Sequence, residues 1–207
     1  MKPTDITTNT YNKIAKIYTK KYFEDFTDFP FVDKFLSLLP VKSKILDIGC
    51  GPGNFTKYIK GKGFDIKGVD LSKEMIKIAQ KKVPGIEFQL MDMRNLKFPI
   101  NSFNGLLVAY SLIHIPSSEI LDTLTGFNKV LNKSGKILII TQAGEPDRIV
   151  DETLINGLKI FINFFTRDKL KKYLKEAGFE VVFQKEKKIE DNDSFSNRVI
   201  YTIASKQ

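Results

Sequence analysis

One cysteine, one histidine, no tryptophan and only four arginines among 33 basic residues mark this 207-residue chain by what it lacks. With Cys50 alone there is no internal disulfide framework, and the chain suits a reducing compartment. The amino terminus, Met-Lys-Pro-Thr-Asp-Ile-Thr-Thr, has no apolar core of signal-peptide length. Nor does any apolar run approach a membrane span, so a cytoplasmic protein with no membrane partner is expected. Internal repeats, low-complexity tracts and a second domain are also missing, and 207 residues can bury one core without structural metal. The 33 basic against 24 acidic residues give +9, compatible with nucleic acid, an anionic surface or a lysine-coated exterior. Arginine is the preferred fork for phosphates and guanine edges. With only Arg94, Arg148, Arg167 and Arg198 available, the lysine-dominated charge argues for solvated faces and against a nucleic-acid partner.

What is present is organised around Lys44–Phe55, Lys-Ile-Leu-Asp-Ile-Gly-Cys-Gly-Pro-Gly-Asn-Phe. A short apolar run followed by a glycine-rich turn reads as a buried strand delivering backbone to a ligand, or as a tight strand-to-helix turn with none. Gly49, Gly51 and Gly53 permit positive φ and close approach of the main chain. The Gly-x-Gly-x-Gly spacing departs from the dinucleotide Gly-x-Gly-x-x-Gly, and no Lys-Ser or Lys-Thr pair completes a P-loop. Asp47, two residues before the first glycine, would repel a pyrophosphate and favour a cationic group instead.

These residues resemble the first motif of the class I S-adenosylmethionine-dependent methyltransferases. The resemblance implies that the loop, Gly49, Cys50, Gly51, Gly53 and Asn54 included, runs under the methionine part of the cofactor. It also implies that Asp47 helps to hold the cofactor's amino group. The cofactor carries an ammonium and a sulfonium but no phosphate, which suits an acid beside the loop. Cys50 reads as a small residue filling the turn rather than a nucleophile, because no base is within sequence reach.

Around this turn the chain alternates between strand and helix. Strands over Lys44–Ile48, Ile66–Val69, Ile86–Met91, Phe103–Ala109 and Lys136–Thr141 are separated by helices after Asn54, after the N-cap Ser72 and from Ser117. The helix from Ser117 carries Ile120, Leu124, Phe127 and Leu131 as its buried stripe. Gly144-Glu145-Pro146-Asp147 reads as a turn, and Ile149–Phe165 as an irregular apolar insertion covering the open edge of the site. Thr166 caps a further helix ended by Gly178. The strand-like runs Phe179–Lys185 and Arg198–Ala204 close the chain. The expected fold is α/β, a Rossmann-like doubly wound α/β/α sandwich, mostly parallel with an antiparallel last strand. One domain spans residues 1–207, with an N-terminal helical cap over 1–40, a core over 41–207 and a lid over 143–165.

The cap begins with Tyr11, Ile14, Ala15, Tyr18 and Tyr22 at helical spacing. Tyr11 and Tyr18 either pack with their hydroxyls at the rim or, as the resemblance implies, close over the cofactor. The aromatic stretch Phe23, Phe26, Phe29, Phe31 and Phe35 is either packing between helices or an apolar wall for a substrate. Asp70 ends the second strand 21 positions after Gly49, where a wound fold presents an acid to a ribose hydroxyl pair. The alternative is a solvated strand end. Leu71 would lie against the adenine, and Met75 adds soft apolar area. Asp92 resembles the family's acid for the adenine amine, helped by the backbone of Met93, or else it caps a turn.

After the fourth strand comes Ala109-Tyr110-Ser111-Leu112-Ile113-His114, where methyl acceptors sit in the family. His114 is either a general base or structural, and Tyr110 orients the acceptor or faces the sulfonium. The Asn/Asp-Pro-Pro-aromatic and Pro-Cys motifs of DNA-base methyltransferases are absent. The resemblance therefore implies methyl transfer from S-adenosylmethionine to a small-molecule acceptor, releasing S-adenosylhomocysteine, by a monomer or homodimer with no metal. An RNA or protein methyltransferase and a non-catalytic cofactor-binding module are the alternatives.

Overall fold

The computed structural model describes residues 2–144, 147–190 and 194–207. Glu145 and Pro146 of the expected turn, and residues 191–193 of the last connection, lie outside them. The central strand β1 (Lys44–Ile48) is buried at every position after Lys44. It pairs in parallel with β2 (Asp65–Asp70) and β4 (Phe103–Ala109), so both its faces must be covered. Leu46 and Ile48 enter one apolar cluster and Ile45 the other, the alternation that a strand imposes.

The seven-stranded sheet runs β3-β2-β1-β4-β5-β9-β8. Here β3 is Phe88–Leu90, β5 Leu131–Gln142, β8 Phe179–Lys188 and β9 Arg198–Lys206. β9 is antiparallel to both β5 and β8, as expected of the last strand. Helices α3 (Asn54–Gly61), α4 (Lys73–Lys82), α5 (Ile120–Val130) and α6 (Arg167–Glu176) cross between strands, and α1 (Pro3–Tyr22) and α2 (Phe29–Leu36) precede them. Ser72 and Thr166 cap α4 and α6 by accepting the backbone N–H groups of Met75 and Lys169.

Several expected boundaries move. β3 is shorter than Ile86–Met91, and β5 begins at Leu131, not Lys136. Leu131 thus leaves the helical stripe for a strand, where it pairs with Phe103 ahead of a register shift. Ser117 opens a 3-10 turn, Ser117–Glu119, and does not cap α5. Its hydroxyl meets Asn163 and Lys169 instead. Where Ile149–Phe165 is expected to be irregular, a hairpin of β6 (Arg148–Asp151) and β7 (Lys159–Ile162) forms, starting one residue earlier. Its connection is held by Glu152, whose Oε2 accepts the N–H groups of Leu154 and Ile155 at 2.7 and 2.9 Å.

None of the five rings of the aromatic stretch lines the cavity at the carboxyl edge of the sheet; four of them pack against neighbouring elements. Phe29 stacks on Tyr58 at 3.8 Å and Phe31 on Tyr201 at 3.6 Å between ring centroids. Phe23 and Phe35 enter apolar clusters, and Phe26 is exposed. Phe31 and Phe35 thus hold α2 against the sheet, and Phe29 holds it against α3.

Candidate functional site

A cavity of about 740 Å³, its mouth included, opens at the carboxyl ends of β1, β2, β3 and β4, under α1. That edge is where open α/β sheets take ligands. From the first turn, Gly49 and Gly51 line it. Gly49 has φ +74°, and a Cβ there would lie 2.2 Å from the Cβ of Ser111. Ser111 donates its hydroxyl to the carbonyl of Ile48 at 2.6 Å, so the ends of β1 and β4 are tied where Gly49 leaves room. Gly51, at φ +52°, has open space where a side chain would stand.

Asp47, Cys50, Gly53 and Asn54 do not line the cavity. Asp47 is 1 % exposed and accepts the Thr56 hydroxyl at 2.6 Å. Burial pushes its carboxyl up to about 7 against that bond, so at neutral pH it is not a dependable fixed charge. Cys50 is buried with its thiol pushed up by desolvation, as suits a space-filling residue. Gly53, at φ +88°, opens α3 against Phe88 and Val83, and Asn54 is the first residue of that helix.

The second and third strands deliver their acids to the cavity wall. Asp70 accepts the N–H of Gly51 on Oδ2 at 2.9 Å and that of Ser72 on Oδ1 at 2.8 Å. Burial raises its carboxyl despite these bonds. Leu71 and Met75 flank it on the wall. Asp92 and Met93 also line the cavity, and Asp92 caps the 3-10 turn Met93–Asn95. Burial pushes Asp92 up, but the Arg94 guanidinium outweighs it and holds the carboxyl below its usual range. Arg94 makes a forked contact with Asp92 and reaches Glu119 at 2.8 Å. Standing only two residues away, Arg94 is a partner that the sequence itself offers.

The roof is α1. Tyr11 and Tyr18 line the cavity with Thr4, Thr7 and Thr8, three hydroxyls that the helical pattern offered but the tyrosines overshadowed. Asn12 accepts the Ser72 hydroxyl at 2.8 Å, and Thr10 donates to the carbonyl of Lys159 at 2.7 Å. The helix is thus pinned to α4 on one side and β7 on the other.

From the fourth strand, Tyr110 and His114 complete the wall. His114 Nδ1 lies 2.9 Å from the Phe161 carbonyl, which can only accept, so the ring proton sits on Nδ1. Nε2 is then a bare acceptor, and the Tyr11 hydroxyl 2.9 Å away donates to it. Burial lowers His114 to about 4 and raises the Tyr11 phenol, so both are neutral at physiological pH. The wall carries two carboxylates and, among the described residues, no lysine or arginine, although the chain bears +9.

Residues 18–184 match the family model of a methyltransferase domain. An uncharacterized methyltransferase of Alkaliphilus oremlandii is 36% identical over 53% of this chain and 50% of its own length. The chain therefore spans about half the length of that relative. The demethylmenaquinone methyltransferase of Thermotoga maritima is 28% identical over 68% of this chain and 72% of its own. The structure of Burkholderia thailandensis 1,6-didemethyltoxoflavin-N1-methyltransferase, with 1,6-didemethyltoxoflavin and S-adenosylhomocysteine bound, overlays with a TM-score of 0.79. At 19% identity over 100% of this chain and 91% of that one, the likeness is of fold.

Proposed function

Because the chain belongs to the methyltransferase domain family, we propose that it moves a methyl group from S-adenosylmethionine to an oxygen, nitrogen or other nucleophile of a small molecule. The observation that carries this reading is the charge of the cavity wall, acidic within a basic protein. A donor that carries an ammonium and a sulfonium but no phosphate suits a wall with acids and no lysine or arginine among the described residues, and the open space at Gly51 admits it against the backbone. A demethylmenaquinone methyltransferase among its relatives and a 1,6-didemethyltoxoflavin methyltransferase of like fold support a small acceptor.

Within this reading Asp70 holds the ribose hydroxyls, Leu71 and Met75 face the adenine, and Asp92 with the Met93 backbone meets its amine. Gly49 and Gly51 run beside the methionine part, which Tyr18 covers. Asp47 supports the loop from beneath through Thr56. When bound, the donor supplies a methyl group already activated by its sulfonium. Much of the rate then comes from alignment, for which the ceiling is about 7–11 kcal/mol.

If the acceptor carries a proton, it must leave as the new bond forms. Tyr11 oxygen receives it while the Tyr11 proton passes to His114 Nε2. The Phe161 carbonyl steadies the resulting imidazolium through Nδ1–H. His114 therefore acts through Tyr11 rather than on the acceptor directly. The α1 cap and the 143–165 segment form the lid in this reading, the latter through Phe161 and Lys159.

The test is S-adenosylhomocysteine release measured across a mixed metabolite panel and total RNA. Release with at least one metabolite fraction is expected. Turnover with RNA alone overturns the small-molecule reading, and tight cofactor binding with no turnover on any acceptor makes the protein a binding module.

A further inference from the structure

The two-stranded sheet of β6 and β7 leaves β7 with a second edge. Lys159, Phe161 and Asn163 recur at the two-residue period of a strand, so their backbone groups leave from one side. The N–H and C=O groups of such an edge need partners. Here α1 and the 3-10 turn Leu112–His114 supply them. The Lys159 carbonyl accepts the Thr10 hydroxyl at 2.7 Å, and the Phe161 N–H reaches the Thr7 hydroxyl at 3.4 Å. The Phe161 carbonyl meets His114 Nδ1 at 2.9 Å, and the Asn163 N–H donates to the Ile113 carbonyl at 2.6 Å. One strand and its first following residue thus hold both α1, which carries Tyr11, and the turn, which carries His114.

The Asn163 side chain adds to this grip from a fully buried position. Its Nδ2 donates to the Ile115 carbonyl at 2.9 Å. Its Oδ1 accepts the Ser117 hydroxyl and the Lys169 ammonium, each at 3.3 Å. An ammonium only donates and a carbonyl only accepts, so these neighbours dictate which way the amide faces. Three successive residues are therefore gripped, Ile113 and Ile115 by Asn163 and the ring between them by Phe161. A leucine at 163 would fill the space and leave the Ile115 carbonyl without this donor. An aspartate would set a carboxylate oxygen against that carbonyl.

The grip matters for the direction of a proton. Which ring nitrogen of a histidine is protonated is set by the hydrogen bond that the other one makes. With Nδ1–H on the Phe161 carbonyl, Nε2 accepts and the Tyr11 hydroxyl donates. In the competing tautomer Nε2–H donates to the Tyr11 oxygen, and Tyr11 has no base to receive its own proton. A turn free to rotate away from Phe161 would admit that tautomer.

We propose that Asn163 is a positioning residue for the proton relay, clamping the turn on both sides of His114 so that Nε2 stays bare and faces Tyr11. The inference rests on the relay within the methyltransferase reading above. It ties that relay to the 143–165 segment, because the pair is aligned only while the end of β7 is docked. Lys169, in the first turn of α6, braces the amide through Oδ1.

The test uses the single histidine, whose two ring nitrogens give one unambiguous pair of signals in long-range nitrogen–proton correlation spectra. At neutral pH the wild type should show Nδ1 protonated and Nε2 bare, with widely separated signals. Asn163→Ala should shrink that separation by about a third as the tautomers mix. Lys169→Met, which removes the ammonium and keeps the stem, should move it the same way by about a tenth. Ile66→Ala, a buried truncation in the other apolar cluster, should leave it unchanged. Dispersed amide signals and an S-adenosylhomocysteine affinity within about twofold of the wild type show that the variants fold. Unchanged separation in Asn163→Ala overturns the clamp, as does an equal change in Ile66→Ala. Where Asn163→Ala does not fold, Lys169→Met decides alone. A wild type protonated on Nε2 overturns the relay and this inference with it. One that binds no S-adenosylhomocysteine overturns the methyl-donor reading, while the ring signals still decide the clamp.

Discussion

His114 and Tyr11 are separated by 103 positions in sequence yet share a hydrogen bond of 2.9 Å, which makes each the other's environment. An isolated histidine titrates near pH 6.5, whereas burial lowers His114 to about 4. Between those values the unfolded chain binds the proton and the folded chain does not. The neutral ring's contribution to stability is therefore full above about pH 6.5 and is lost as pH falls towards 4. The same sign applies to the proton-accepting role proposed for it. With a proton-bearing acceptor, kcat/KM should stay flat from about pH 8 to pH 5 and decline only near 4. His114→Ala and Tyr11→Phe should each lower kcat about a hundredfold while leaving S-adenosylhomocysteine affinity within about twofold. A decline centred at 6.5 in the wild type, or a wild-type rate in His114→Ala, removes the relay.

At the scale of elements, α1 is held by side chains rather than by continuity with the sheet. Its pins are Thr10 to the Lys159 carbonyl and Asn12 to Ser72, with Phe161 N–H reaching Thr7 at 3.4 Å. Each such bond contributes about 1 kcal/mol, so Thr10→Val with Asn12→Ala should lower the opening free energy of the helix by about 2 kcal/mol. Hydrogen exchange of α1 amides should then accelerate about thirtyfold, while amides of β4 and β5 keep their protection. Equal acceleration throughout would place α1 in the cooperative core and deny it a lid's independence. Local chemistry made much of this legible beforehand. The glycine turn, the Ser72 and Thr166 caps and the tyrosine stripe of α1 are all specified by residues within one or two turns. The hairpin β6–β7 was not legible, because its apolar residues Ile160 and Ile162 sit beside Phe164 and Phe165 and blur the two-residue period. Nor could spacing tell that Asp47 would be taken by Thr56, or that Asp28 would meet Tyr201, 173 positions on. Partner choice of that kind is settled by tertiary packing, which leaves no periodic trace.

For the whole molecule, charge is sorted by location. The cavity wall holds Asp70 and Asp92 and, among the described residues, no lysine or arginine, so the basic excess lies elsewhere. Several of its members are already engaged, as where Lys57 and Lys82 lie over the Phe23 ring and Lys67 pairs with Glu87. Lysine heads on long stems stay hydrated in this way while their stems cover apolar surface. A coat of this sort interacts weakly with a small acceptor inside the cavity, because exposed charges are screened within about 8 Å at physiological salt. A nucleic-acid substrate would use the same coat differently, since every phosphate neutralised releases counterions. An enzyme making about 6–10 phosphate contacts loses on the order of a thousandfold or more in affinity between about 50 and 200 mM salt. Turnover of a small acceptor should instead change by about twofold at most over that range. Measuring kcat/KM for the methyl acceptor at both salt concentrations decides between them, and a steep negative slope would assign the lysine coat to substrate binding.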